Sequence, residues 1–119
     1  MKKVKLNIQK AIINKNLIEF AYTDKSKNKH GVRTIQPYLF GVDKKGNYFV
    51  SGYDTDESVA FIYRHKNYLL QQMDLSSLKI LKETYEHLKI EPDKIYQTKE
   101  TIIICVADFS ELIEKYFDK

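Results

Sequence analysis

The sequence predicts a mostly β domain with flanking helices, in which short strands form a small barrel or a strongly bent sheet. Three observations lead to this class. The 119 residues suffice for one domain, and 43% of them are hydrophobic, enough to build a core. Short runs of strand character are separated by polar turns at hairpin spacing. Helical periodicity is confined to the two ends of the chain, and no internal repeat occurs.

The first predicted element is a short amphipathic helix in NIQKAIINKN. Ile8, Ala11 and Ile12 are spaced i, i+3 and i+4, so they share one helical face. Asn7 is predicted to cap the start of this helix and Asn16 to end it.

Two extended segments follow the helix. In LIEFAYTD the residues Ile18, Phe20 and Tyr22 alternate with their neighbours, which is the period of a strand. After a lysine-rich loop comes VRTIQPYLFGV. Pro37 lacks an N–H for a strand ladder, so the chain is predicted to bend or bulge there. A separate strand is predicted to continue from Tyr38 to Val42.

The segment DKKGN is typical of a hairpin turn, with Gly46 available for a positive φ. It leads into the strand NYFVSGY, which is predicted to pair back on PYLFGV. A regular strand places Tyr48 and Tyr53 on opposite faces. We expect this strand to be mostly core, with one ring presented to a ligand.

The rest of the chain is predicted to hold further strands and a final helix. VAFIYRHKNYLLQQM is interpreted as two extended pieces around RHKN, and LKIL as another strand. The apolar run TIIICVA indicates a short buried strand. Asp108 or Ser110 is predicted to cap a helix in SELIEKYF.

Cysteine usage and hydropathy restrict the compartment. Cys105 is the one cysteine of the chain, so no internal disulfide forms, and its apolar neighbours indicate a buried, inert thiol. The sequence shows no apolar run of membrane-spanning length and no signal peptide. A cytoplasmic location without a membrane partner is therefore expected.

Charge is unevenly distributed along the chain. Residues 1–50 contain eleven Lys and Arg against three Asp and Glu, whereas residues 51–119 contain nine against thirteen. A basic N-terminal half suits an anionic partner such as nucleic acid or a nucleotide. The alternative is that the lysines only solvate the surface.

The span from Ile8 to about Tyr85 resembles a WYL domain, a family named for a Trp-Tyr-Leu tripeptide in one strand. The resemblance is carried by four blocks of the sequence: the Ala11-Ile12 pair; I-x-F-x-Y at Ile18, Phe20 and Tyr22; R-x-I-x-P-Y from Arg33 to Tyr38; and Y-F-V-x-G-Y from Tyr48 to Tyr53.

The chain also departs from the family pattern. Tyr48 stands in place of the tripeptide Trp. In the closing block, Leu69 and Gln72 stand where the family has arginines. Those arginines help to form the basic ligand surface of the family, so their loss bears directly on anion binding.

The resemblance implies an Sm-like, SH3-type small β-barrel and a non-catalytic sensor module of bacterial regulation or phage defence. Residues 1–119 are expected to form a single, stand-alone WYL-like domain. It would consist of a core barrel over residues 8–85 and a C-terminal strand-helix extension over residues 95–119. The implied partner is a single-stranded nucleic acid or a nucleotide ligand.

Six residues are predicted to bind this ligand. Arg33 offers a planar guanidinium that suits a phosphate or a base edge. The cluster RHKN is flanked by Tyr63 and Tyr68, and basic groups interleaved with aromatic rings suit single strands. We expect phosphates to be held by Arg33, Arg64, His65 and Lys66, and a base to be contacted by Tyr53 and Gln72.

Each of these assignments has a structural alternative. Arg33 would instead pair with the acidic loop DTDE, and RHKN would instead be an exposed hairpin loop. The loop residues Lys25, Lys27, Lys29 and His30 add either a diffuse attraction for phosphates or only solvation.

Signals of an enzyme are poor. The three histidines have no metal-ligand spacing with one another or with Cys105, and no phosphate-binding glycine loop or nucleophile elbow occurs. No metal, cofactor or catalytic residue is therefore predicted. A further interpretation is a small nuclease or transferase.

The main alternative is a protein-interaction module without nucleic-acid binding. In that reading the chain is a homodimer, or a subunit or inhibitor of a defence or regulatory complex. The terminal helix SELIEKYF would pack across a symmetric interface.

Overall fold

The computed structural model describes residues 2–25, 27–85 and 102–107, which form an N-terminal helix and an antiparallel sheet. Two single 3-10 turns, Phe61–Tyr63 and Leu70–Gln72, flank the fourth strand. The regular elements are α1 (Lys2–Asn14), β1 (Asn16–Asp24), β2 (Lys29–Val42), β3 (Tyr48–Asp54), β4 (His65–Leu69), β5 (Met73–Thr84) and β6 (Ile102–Val106).

Helix α1 starts earlier than the sequence predicts, at Lys2 and not at Asn7. Val4 lies one turn before Ile8 and packs against the same core, so the apolar face extends to the start of the chain. The helix ends where Lys15 adopts a positive φ of 56°. The predicted cap at Asn7 is therefore wrong, because that residue lies inside the helix.

The strands pair in the order β4-β3-β2-β1-β5, and β6 pairs with β2 where β2 extends beyond β1. The sheet bends strongly: β1 and β4 are not neighbours, yet the backbone N–H of Leu69 donates to the hydroxyl of Tyr22 at 3.2 Å. Among the described strands no ladder closes the sheet. The mostly β class is thus confirmed, whereas the Sm-like, SH3-type barrel is not.

Strand β2 runs without interruption from Lys29 to Val42, so the prediction of a separate strand from Tyr38 is wrong. The predicted irregularity at Pro37 is confirmed, because the register with β3 shifts between Pro37 and Leu39. The carbonyl of Pro37 accepts a hydrogen bond from the buried hydroxyl of Tyr85 at 2.5 Å. The β2–β3 turn has Gly46 at φ 83°, as predicted.

The connection between β3 and β4 differs from the prediction of two extended pieces around RHKN. VAFIY contains a 3-10 turn, with the N–H of Tyr63 bonded to the carbonyl of Ala60 at 2.9 Å. The ring of Phe61 stacks on that of Tyr53, 4.8 Å between centroids. This packing explains why strand propensity does not decide the local structure. His65 to Asn67 belong to β4 and do not form a loop.

The core lies between α1 and the sheet. The helix packs against β1, β2, β5 and β6. Phe20, at the centre of β1, is fully buried and contacts the rings of Tyr22 and Tyr68 edge-on. The largest fully buried side chains are those of Ile8, Ile12, Ile18, Phe20, Ile35, Pro37, Tyr38, Phe40, Val50 and Tyr53.

The predicted strand in TIIICVA is confirmed as β6, but its predicted burial is wrong. Ile102 is 68% exposed and Ile103 42% exposed, while Cys105 is half-buried. The predicted helix SELIEKYF lies outside the described residues. In the described part of the chain, no helix has the length and apolar character to cross a membrane.

Candidate ligand-binding site: a basic pocket

One end of the sheet holds a pocket of about 640 Å³. Because neighbouring strands are antiparallel, β1 and β3 end there, while β2 and β4 begin there. The strong bend of the sheet then places the start of β2 opposite β4. The pocket, called the basic pocket below, is lined by Tyr22, Asp24, Lys27, Lys29, Arg33, Asp54, Val59, Tyr63, Arg64, His65, Lys66, Asn67, Tyr68, Leu69 and Gln72.

The basic pocket brings together five of the six residues predicted from the sequence. Arg33 comes from β2, whereas Gln72 ends the turn before β5. The other three are consecutive in and before β4: Arg64, His65 and Lys66. Arg33 is more than thirty residues away from the other four in the sequence, and the bend of the sheet brings it to the same pocket.

Tyr53, the sixth predicted residue, does not line the basic pocket. Its ring is 1% exposed, stacks on Phe61 and meets the His65 ring edge-on at 5.1 Å. Tyr53 therefore supports His65 from inside the core. A base contact by Tyr53 stays a prediction, and in this conformation the ring has no surface to offer for it.

Two tyrosines form the floor of the basic pocket. The rings of Tyr22 and Tyr68 lie 5.1 Å apart at 81°, a favourable edge-to-face arrangement. Burial raises the pKa of both phenols. The hydrogen bond from the Leu69 backbone partly offsets the rise for Tyr22, and the positive charge of Arg33 opposes it for both phenols. The hydroxyls therefore keep their protons at neutral pH, and Arg33 lines the same pocket.

Arg33 is available to a ligand. In the part of the chain that the structure describes, its guanidinium makes no ion pair. Its side-chain hydrogen bond is long, from Nη1 to the carbonyl of Val32 at 3.4 Å. The same Nη1 packs over Gly31, where an added Cβ would lie only 2.7 Å away. Because Gly31 has no side chain, it leaves space for the guanidinium of Arg33 over the strand.

The carboxamide of Gln72 is oriented by Tyr22. The Tyr22 hydroxyl accepts the backbone N–H of Leu69 and donates to Oε1 of Gln72 at 2.9 Å. Since Oε1 is engaged, the two N–H donors of Nε2 remain for other acceptors. Gln72 can therefore donate to a phosphate oxygen or a base acceptor.

Lys66 and Asp24 form an ion pair inside the pocket. The Asp24 carboxylate is 8% exposed and the Lys66 side chain 34% exposed. The ammonium also lies 5.3 Å from the centroid of the Tyr22 ring, within the range of a cation–π contact. Lys66 is thus held in place, with its charge largely offset by a buried anion.

Arg64 and His65 are held at the start of β4 by the protein itself. Nε of Arg64 donates to the carbonyl of Val59 at 2.7 Å. Nε2 of His65 shares a hydrogen bond of 2.6 Å with the Tyr38 hydroxyl. These contacts fix the direction of both side chains before any ligand binds.

The structure places only part of the predicted lysine-rich loop at the basic pocket. Lys27 and Lys29 line the basic pocket, whereas Lys25 and His30 do not. Nδ1 of His30 lies 3.4 Å from the hydroxyl of Thr23. Two of the four predicted phosphate-attracting residues are therefore at the site.

Two carboxylates line the pocket, those of Asp24 and Asp54. Asp54 opens the acidic loop DTDE, which the sequence names as the alternative partner of Arg33, whereas Asp24 is not among the residues predicted from the sequence. A signal for Asp24 was present, because it continues the alternation of Ile18, Phe20 and Tyr22 on the buried face of β1. A charged residue at the next position of a core-facing alternation indicates a paired, buried group. Within residues 2–25, 27–85 and 102–107, no cluster of His, Cys, Asp and Glu could hold a metal ion.

The chain is similar to known proteins in sequence and in structure. The family model of the WYL domain matches residues 3–67. No curated protein matches the chain. The solved structure of Proteasome accessory factor B/C (PafBC) of Arthrobacter aurescens is similar, with a TM-score of 0.61 at 18% identity. That similarity covers 78% of this chain and 14% of PafBC, and at this identity it concerns the fold alone.

Proposed function

The chain belongs to the WYL domain family, and on that premise we propose that it is a non-catalytic, ligand-sensing domain of bacterial regulation. Its basic pocket binds a single-stranded nucleic acid or a nucleotide-like ligand. Phosphates lie on the arginines and lysines, and Gln72 donates to a base or a phosphate. A role in phage defence would be one use of the same binding activity.

One observation carries this proposal: cationic side chains from distant parts of the chain meet in one concave site. The pocket is lined by five Lys and Arg residues against two Asp. Clefts with an excess of one charge concentrate the field and attract ligands of the opposite sign. The volume lies within the range of about 300–1,000 Å³ that is usual for small-ligand sites.

Aromatic rings at the same site support a ligand that carries bases. Tyr63 stands at the rim of the pocket and is 74% exposed, so its ring is open to stacking. Stacking on aromatic side chains beside a cationic groove is the usual way in which proteins bind single strands.

The bend that sets β1 opposite β4 supports the interpretation of the sheet as an Sm-like, SH3-type barrel.

NMR titration with a short single-stranded oligonucleotide tests the location. At low salt we expect the backbone signals of His65, Lys66 and Asn67 to shift when the oligonucleotide is added. The shift is expected both with DNA and with RNA of the same sequence. The signals of Lys44 and Lys45, at the opposite end of β2, serve as the internal control and should stay in place. Shifts confined to the β2–β3 turn, or none at all, would refute binding in the basic pocket.

Gly31→Ala is expected to weaken ligand binding without loss of stability. The added methyl group would collide with Nη1 of Arg33, and this flexible side chain moves at little cost while the backbone stays. We expect about a three- to tenfold loss of oligonucleotide affinity, since part of a charge-assisted contact is removed, with an unchanged melting temperature.

A double-mutant cycle separates this effect from an indirect one. In an Arg33→Ala background, Gly31→Ala should have no further effect on affinity. An equal loss in both backgrounds would show that Gly31 does not act through Arg33.

A second candidate function, protein interaction, is favoured by strand β6. Among the described strands it pairs only with β2, and it exposes Ile102, Ile103, Ile104 and Val106. Exposed apolar edge strands are recurrent sites of strand addition. Light scattering over a concentration series distinguishes the homodimer from a monomer.

A further inference from the structure

A buried carboxylate lies inside the basic pocket. Asp24 is buried, at the end of the core-facing row of β1. A carboxylate at such a depth is tolerated only when it is paired and hydrogen-bonded. Its partners include the ammonium of Lys66, which comes from β4.

This pairing removes Lys66 from the charge that the pocket offers to a ligand. The ammonium lies against Asp24 and within 5.3 Å and 5.9 Å of the ring centroids of Tyr22 and Tyr68. A phosphate that takes Lys66 must separate this ion pair and leave the carboxylate of Asp24 without that partner. Binding of the phosphate is weakened by the loss of this contact.

We propose that Asp24 is a specificity-determining residue of the basic pocket, which selects nucleotide-like ligands against bare phosphate anions. This inference rests on the proposed function. A ligand that has only negative charge competes with Asp24 for Lys66. Its binding free energy is then small, because the new contact with Lys66 replaces the contact between Lys66 and Asp24. A ligand that also carries hydrogen-bond donors, such as a base amino group or sugar hydroxyls, can satisfy the carboxylate when Lys66 turns to the phosphate.

The chemistry of the two groups supports this selection. An ionised carboxylate only accepts hydrogen bonds, so it repels phosphate oxygens and attracts N–H and O–H groups. Asp54 adds a second carboxylate to the lining. A site for simple polyanions would gain nothing from these acidic groups, whereas a nucleoside phosphate presents both charges and donors.

Asp24→Asn tests the inference, with inorganic pyrophosphate and ADP as probes in calorimetric titrations at low salt. Both probes carry a diphosphate, and ADP adds the donors of adenosine. We expect the affinity for pyrophosphate to rise about tenfold in the variant, because a partly screened charge is removed and Lys66 is released. The affinity for ADP should rise less, so the preference for ADP over pyrophosphate should fall.

Glu57→Gln is the matched control, since it removes one charge from an exposed side chain outside the pocket. It should leave the preference unchanged. The inference would be overturned if Asp24→Asn kept the preference for ADP over pyrophosphate. It would also be overturned if Asp24→Asn and Glu57→Gln raised the affinity for pyrophosphate by the same factor.

A measurement on the unmodified protein makes the test independent of the folding of Asp24→Asn. The ¹⁵N signal of the Lys66 ammonium should shift when pyrophosphate is added at high concentration. Bound pyrophosphate that leaves this signal in place would contradict the competition for Lys66.

Oligonucleotide binding by the unmodified protein, recorded in parallel, separates the two proposals. If the protein binds oligonucleotides in the pocket and Asp24→Asn changes nothing, only the role of Asp24 is refuted. If oligonucleotides, pyrophosphate and ADP all fail to bind, the proposed function fails as well.

Discussion

Phe20→Ala is expected to lower the free energy of unfolding by about 3–5 kcal/mol, the usual range for truncation of a buried aromatic ring. Phe20 is fully buried. Its ring contacts Tyr68 and Tyr22 at centroid distances of 5.4 Å and 6.0 Å. The substitution leaves a cavity directly behind the floor of the basic pocket. Because domains of this size are stable by only about 5–15 kcal/mol, this substitution removes a large fraction of the free energy of unfolding.

Urea denaturation followed by circular dichroism measures this loss. Val32→Ala is the matched control, because Val32 is 65% exposed in the neighbouring strand, and surface substitutions usually stay within about 0.5 kcal/mol. A loss below about 1 kcal/mol for Phe20→Ala would show that the aromatic cluster is not the packed core described here.

The double variant Arg33→Ala/Arg64→Ala is expected to lower oligonucleotide affinity about 100-fold at low salt. Each guanidinium can make charge-assisted hydrogen bonds to phosphate, worth about 1.5 kcal/mol or more, and a tenfold change in affinity corresponds to about 1.4 kcal/mol. The two residues reach the basic pocket from β2 and from the start of β4. The factor of about 100 is the product of a roughly tenfold loss at each residue. Fluorescence anisotropy with a labelled single strand measures the change.

Lys44→Ala/Lys45→Ala is the control for this variant. It removes the same charge from the exposed β2–β3 turn, outside the residues that line the pocket. We expect it to change affinity less than about threefold, through general attraction alone. Equal losses in the two double variants would show that binding depends on net charge and not on the pocket.

The strands of this fold could be predicted because their side chains alternate. Ile18, Phe20 and Tyr22 face the core as their spacing indicates, and the β2–β3 turn follows from Gly46. The turn at Phe61–Tyr63 could not be predicted. Its residues favour strands by propensity, and the stacking of Phe61 on Tyr53 is a tertiary contact that no local pattern reveals.

The candidate site could be predicted in its residues but not in its pairing. Arg33, Arg64 and Lys66 are named by charge and by the family resemblance, and the structure places them in one pocket. The ion pair between Lys66 and Asp24 joins residues 42 positions apart, so it depends on the bend of the sheet. The burial of Tyr53 also depends on tertiary structure. The alternation in β3 places Tyr48 and Tyr53 on opposite faces, but only the packing against each face decides which ring is covered.

The exposure of β6 shows a further limit of sequence patterns. A continuous apolar run indicates a strand buried on both faces, yet Ile102 and Ile103 are exposed in the structure. The run determines the strand through its β-branched residues. Its burial depends on what packs against it, which the run itself does not encode.

Binding of a single-stranded, phosphate-bearing ligand to the basic pocket requires an affinity that falls as the salt concentration rises. Anisotropy titrations of the unmodified protein with labelled single-stranded DNA and RNA would be recorded over a series of salt concentrations. We expect the logarithm of the association constant to fall linearly with the logarithm of the salt concentration. The slope should be about −2 to −3, as for roughly three to four neutralised phosphates on a single strand. Absence of binding at the lowest salt, or an affinity independent of salt, would contradict it.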